Sequence, residues 1–125
     1  MILLTIDEII ILHQKAIKKT GGLDGIRDIG LLESAVYSIY AAFEDIEQYP
    51  SCEEKSARLA FSLINNHAFV DGNKRVGVLA MLITLKINEI VICYTQKELI
   101  SFGLGVADGS INYEEILQWI LSHKK

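Results

Sequence analysis

Residues 67–85 read His67-Ala-Phe-Val-Asp-Gly-Asn-Lys-Arg75 and then Val76-Gly-Val-Leu-Ala-Met-Leu-Ile-Thr-Leu85. The second half contains no proline and is apolar on almost every side. That pattern predicts a helix from Asn73 to about Ile87. A helix apolar nearly all round is buried by its neighbours, so it becomes the central element of the fold. The first half supplies a histidine, a carboxylate, a glycine turn, an amide and two adjacent cations, all at the mouth of that helix.

The neighbours are legible on both sides. Thr5 with Glu8 is a capping box that opens a helix ending near Gly21-Gly22. Leu31 to about Phe43 reads as a second helix. Ser51 with Glu54 opens a third, with Ala57, Ala60, Phe61 and Ile64 at helical spacing on one face, and it delivers His67 at its C-terminal end. Glu89–Tyr94 is short and β-branched and reads as a brief extended segment. Thr95 with Glu98 and Asn112 with Glu115 open two more helices, the last directing Tyr113, Ile116, Leu117, Ile120 and Leu121 inward. The expectation is a single all-α domain over residues 1–125, a compact helical bundle around one buried central helix.

The nine-residue window carries the chemistry. The first turn of a helix holds N–H groups with no intrahelical partner, and the macrodipole makes that end an anion site. Gly72 permits a positive φ and a close approach of ligand to backbone. With Asn73, Lys74 and Arg75 it can form a concave phosphate nest, with Arg as a planar fork and Lys as a point charge. Asp71 is the one carboxylate within the window and so the candidate ligand for Mg²⁺, which takes hard oxygen donors. An imidazole titrates near neutral pH, which suits His67 as a general base. Phe69 is expected to pin the loop inward. The plainer alternatives are a structural histidine, a turn with a helix cap at Asp71-Gly72, and a solvated first turn. Two cations at a helix N-terminus oppose the dipole, however, unless an anion meets them.

Five residues outside this core have weaker claims. Arg27 lies in the glycine-rich stretch Gly21-Gly-Leu-Asp-Gly-Ile-Arg-Asp28, a flexible loop or a flap beside the site. Asn66 precedes the histidine and either orients it or caps a helix end. His13 lies beside Leu12 and Ala16 and reads as a packing residue, Trp119 as core or interface, and His123, next to Lys124 and Lys125, as part of a solvated end.

Composition excludes several classes. Half of the 125 residues are apolar and 22% are charged, which excludes a disordered chain. A net charge of −4 with no basic stripe argues against direct nucleic-acid binding. The apolar run Val76–Leu85 is too short to span a bilayer, and Met1-Ile-Leu-Leu lacks the basic region and cleavage site of a signal peptide. Cys52 and Cys93 have no metal-ligand spacing and suggest no disulfide framework, so a reducing cytoplasm fits.

The run His67–Arg75 resembles the signature of the Fic/Doc superfamily, and its Lys74 resembles the Doc branch, the "death on curing" toxins. Fic proteins that transfer AMP usually carry glycine there. Gly25-Ile-Arg-Asp-Ile-Gly-Leu-Leu-Glu-Ser-Ala35, Tyr49-Pro50 and Glu54-Lys55 are also similar to that branch. Ala68 stands where many relatives have proline, and Val76-Gly77 where threonine and alanine are frequent. The resemblance implies a Fic/Doc-like fold, ATP and Mg²⁺ as substrate and cofactor, and phosphorylation of a threonine of elongation factor Tu. His67 would be the base, Asp71 would hold the metal, and Gly72, Asn73, Lys74 and Arg75 would hold phosphate. It places the flap with Arg27 beside the protein target. It also implies a Phd-like antitoxin as partner. No Ser/Thr-x-x-x-Glu-Gly/Asn inhibitory helix is present: Ser110 and Glu114 have the offset, but Glu115 follows. Two alternatives to the kinase remain: an AMP transferase of the Fic type, and a non-catalytic antitoxin-binding domain.

Overall fold

Five short polar side chains decide where helices begin. Thr5, Asp28, Ser51, Thr95 and Asn112 each accept a hydrogen bond from the backbone N–H three residues on. In all but the Asp28 cap, a glutamate returns the bond and completes a capping box. Such a cap is worth about 1 kcal/mol over alanine. The computed structural model describes residues 1–125. Its helices are α1 (Ile6–Thr20), α2 (Ile29–Tyr37), α3 (Cys52–Asn66), α4 (Asn73–Ile87), α5 (Gln96–Ala107) and α6 (Tyr113–His123). The fold is all-α, as expected; its only sheet is a two-strand antiparallel hairpin, β1 (Ala42–Phe43) and β2 (Ile46–Glu47).

The centre is shared by α3 and α4. Ala60, Leu63 and Ile64 of α3, and Val76, Ala80, Met81 and Leu85 of α4, are almost wholly buried. Gly77 lets the two helices close: a Cβ there would fall 2.6 Å from Ile64 Cγ1 and 3.2 Å from the Ala60 carbonyl oxygen. One apolar cluster joins α1 and α2 to this pair through Ile9, Leu32, Val36 and Phe69. A second joins α5 and α6 through Phe102, Val106, Ile116 and Ile120. The outer side of α4 is less covered than its composition suggests. Leu79, Leu82 and Ile83 are half-buried, while Lys74 and Lys86 are exposed.

Three local expectations are corrected. The second helix starts at Ile29 and ends at Tyr37, not Phe43. The chain tightens into a 3₁₀ turn over Ser38–Tyr40 and then enters the hairpin through Glu44 and Asp45, both at positive φ. The cause lies elsewhere in the sequence. The nearly buried Lys55 Nζ donates to the Ile39 and Tyr49 carbonyls and to Glu47, so the Ile39 carbonyl is taken from any longer helix. Phe61 shares the face of Ala57, Ala60 and Ile64 as expected, half-buried and covered in part by the Arg58 guanidinium. Leu121 is exposed rather than inward. His123 is not a loose end: its ring stacks on Trp119, Nε2 meets Glu98 at 2.7 Å, and its carbonyl accepts the Cys93 N–H. No helix is long and apolar enough to cross a membrane.

Candidate active site

The window between α3 and α4 is a short loop with every backbone turn accounted for. His67 ends α3 in the left-handed conformation, with φ 51° and ψ 47°. Its side chain is exposed and has no hydrogen-bond partner in the protein. Ala68 and Phe69 are buried, and Phe69 is the anchor the sequence suggested. Asn73 clasps it: Asn73 Oδ1 accepts the Phe69 N–H and Asn73 Nδ2 donates to the Phe69 carbonyl, both at 3.0 Å. The Asn73 amide therefore holds the loop, and only its backbone N–H is left for a ligand.

The start of α4 differs from every other α-helix start in the chain. Its N-cap is Gly72, at φ 77°, with no side-chain cap. Val76 donates the first helical bond, to the Gly72 carbonyl. The N–H groups of Asn73, Lys74 and Arg75 meet no acceptor in the protein, which leaves an open nest of three donors.

The flap lies against this loop as a strand. Ile26 pairs antiparallel with Phe69; Arg27 and Asp28 donate to the Ala68 carbonyl, and Val70 donates to Gly25. Arg27 Nε donates to the His67 carbonyl at 2.7 Å and Nη2 to the Asn66 carbonyl at 3.4 Å, so Arg27 caps the C-terminus of α3. Asn66 Nδ2 donates to the Leu31 carbonyl and ties the same helix end to α2. Both residues position the backbone of His67 and neither touches its imidazole.

Asp71 Oδ2 accepts the Leu23 N–H at 3.2 Å and Oδ1 accepts the Gly72 N–H at 2.8 Å. These two bonds hold its carboxyl below the usual carboxylate range, the flap amide of Leu23 contributing most, so it is ionised at neutral pH. Gly22, at φ 117°, allows this approach: a Cβ there would fall 2.6 Å from Asp71 Oδ2. Arg75 Nη2 lies 3.8 Å from Asp71, while Nη1 donates to Thr20 Oγ1 and to the Gly21 carbonyl. The Arg75 fork thus clasps the end of α1. Lys74 is the exposed cation, its stem resting beside Gly103 of α5. It rims a cavity of about 500 Å³ with Lys19, Arg75 and Ile100. No three His, Cys, Asp or Glu side chains converge around a metal position. One ionised, half-exposed carboxylate does fit an ion carried in by a polyphosphate.

Residues 3–85 match the Fic/DOC family, the part of the chain from the start of α1 to the end of the central helix pair. The chain belongs to the Fic/DOC family. It is 43% identical over 70 residues to a Mycolicibacterium smegmatis protein named Toxin Doc, a match covering 56% of this chain and 54% of that one. It is 30% identical over 112 residues to Protein kinase doc of Escherichia phage P1, covering 88% and 86%. The chain spans about half the length of the mycobacterial relative.

Within this family frame, the candidate site also draws on residues to which the sequence assigned no individual role. Leu23 holds Asp71, Thr20 and Gly21 hold Arg75, and Gly103 and Gln96 of α5 border the cavity beside Lys74. The α5 residues lie beyond the matched segment and carry no local signal. His13 packs as expected, buried and stacked on Phe69, but it also bonds the Asp71 carbonyl.

Proposed function

We propose that this chain is the toxin of a toxin–antitoxin pair and a protein kinase that transfers the γ-phosphate of ATP to a threonine of elongation factor Tu, stopping translation in the cytoplasm. The observation that carries the reading is the uncapped start of α4, with three unmet N–H groups, following a loop that also bears the unpartnered imidazole of His67 and leading into the unpartnered ammonium of Lys74. Family membership and the relatives' names support the toxin and the kinase.

Phosphoryl transfer passes through a loose, anionic transition state, so positioning and charge dominate. The target hydroxyl oxygen bonds to the γ-phosphorus. The bond from that phosphorus to the β–γ bridging oxygen breaks, and ADP leaves with the electron pair. His67 takes the hydroxyl proton. The N–H groups of Asn73 to Arg75 donate to phosphate oxygens, and Lys74 neutralises charge at the mouth. Arg75 adds its charge from the side while clasped by α1. Asp71 is the protein ligand for Mg²⁺, which neutralises phosphate charge when bound. A Phd-like antitoxin segment restrains the enzyme in trans.

Mass spectrometry of elongation factor Tu after incubation with the chain and Mg-ATP tests this. A gain of one phosphate is expected. A gain of one AMP would replace the kinase by the transferase of the opposite nucleotide orientation. No gain of either leaves a non-catalytic partner of the antitoxin. Lys74→Gly is expected to lose γ-label transfer, because removing its side chain deletes a charge and reopens the space that sets that orientation.

A further inference from the structure

The three unmet amides need a reason to stay unmet. Arg75 N–H is the third donor of α4, and in a helix one residue longer it would bond the Asp71 carbonyl, four residues back. Glycine can adopt the helical conformation that such an extension requires at Gly72. That extension would close part of the nest. In the structure the Asp71 carbonyl is taken elsewhere: His13 Nε2 lies 2.6 Å from it. A carbonyl oxygen only accepts, so Nε2 carries the proton.

His13 is well built for that task. It is 1% exposed, and its ring lies flat on Phe69 at 3.8 Å between centroids and 10° between planes. Nδ1 faces Asp24 of the flap at 3.6 Å. A Cβ on Gly72 would fall 3.4 Å from Nε2 and 3.0 Å from Ile17 Cδ1, so the turn is seated directly against α1. One buried side chain thus contacts the loop anchor, the carbonyl before the nest and the flap.

We propose that His13 is a positioning residue that keeps the phosphate nest open: by holding the Asp71 carbonyl off the axis of α4, it leaves the Arg75 N–H free for an anionic phosphate oxygen. The inference rests on the reading of that nest as the ATP phosphate site. His13 itself touches no reacting atom.

Three variants test it. His13→Phe keeps a flat ring on Phe69 and deletes the donor; His13→Met deletes the donor in a flexible side chain and covers the case where phenylalanine cannot be seated. His13→Gln keeps an N–H donor at similar reach. The first readout is amide hydrogen exchange at Arg75 in the free protein. It should slow in the donor-less variants and remain as in the parent in His13→Gln. The second is calorimetric affinity for Mg-ATP. Losing one charge-assisted bond should weaken binding by about tenfold or more, with the glutamine variant restoring it. Unchanged Arg75 exchange in folded donor-less variants, or an equal loss of affinity in all three, overturns the proposal and reduces His13 to packing. A parent protein that binds no Mg-ATP overturns the phosphate reading instead, and the exchange readout still decides what His13 holds.

Discussion

Replacing Asn73 by alanine removes a clasp rather than a ligand, and the two roles leave different traces. The Asn73 amide makes two bonds of 3.0 Å to the backbone of Phe69, a residue 1% exposed. A typical net hydrogen bond is worth about 1 kcal/mol, and a buried partner left without one costs about 1–3 kcal/mol. Two such bonds in a partly buried site give a loss of about 2–4 kcal/mol for Asn73→Ala. Near this chain length that corresponds to a fall in Tm of roughly 8–16 °C, at about 4 °C per kcal/mol. Urea titration followed by circular dichroism reads it directly. Asn73→Asp should be intermediate, because a carboxylate still accepts the Phe69 N–H but cannot donate to the carbonyl. A side chain that served only phosphate would cost affinity and no stability. A stability of Asn73→Ala within about 0.5 kcal/mol of the parent, the range of an uninvolved surface site, would refute the clasp.

The remaining predictions are simpler. His67→Ala should lower phosphate transfer by about 10²- to 10⁴-fold with the fold intact, since the imidazole has no protein partner; a folded mutant with the parent's rate would remove His67 from the chemistry. Gly77→Ala gains about 1 kcal/mol of helix propensity but drives a methyl group into Ile64 and the Ala60 carbonyl, an overpacking of about 1–3 kcal/mol. It should therefore be destabilised by up to about 2 kcal/mol in urea, and a stabilised variant would show that α3 and α4 are not closely apposed. The His123–Glu98 pair raises the histidine pKa and lowers that of the glutamate, each chiefly through their mutual hydrogen bond. The histidine contribution is full below its unfolded value and lost as pH rises through the folded one. The glutamate contribution is present above its unfolded value and lost as pH falls through the folded one. His123→Gln should thus flatten the pH dependence of stability most between mildly acidic and weakly alkaline conditions, and an unchanged profile in thermal melts would show that the pair does not hold α6 to α5.

Much of the fold was legible because its signals are local. Capping boxes lie within four residues, and a short polar side chain followed by glutamate marks a helix start wherever the chain goes next. The four predicted boxes are all present. The error at α2 has the opposite origin. Nothing between Leu31 and Phe43 says that a lysine twelve residues further on takes the carbonyl of Ile39. Leu121 was misplaced because periodicity assigns a face without saying which neighbour ends first, and His123 because its charged neighbours Lys124 and Lys125 do not show the Glu98 and Trp119 partners that α5 and α6 bring to it.

The site divides in the same way. Nine consecutive residues carry the candidate groups: a histidine, a carboxylate and a glycine before two cations at the head of an apolar helix. Only the tertiary structure decided which of them are free. It commits the Asn73 amide to Phe69, the Arg75 fork to the end of α1, and Arg27 to the carbonyls of Asn66 and His67. It leaves the His67 imidazole, the Lys74 ammonium and three backbone donors without partners. A sequence names the polar groups that a segment carries. Whether each is satisfied depends on how the loop closes on itself, as Asn73 does on Phe69 four residues back, and on groups brought beside it from 40 to 60 residues away, as for Arg27, Arg75 and the Asp71 carbonyl, because a hydrogen bond acts only over about 3 Å.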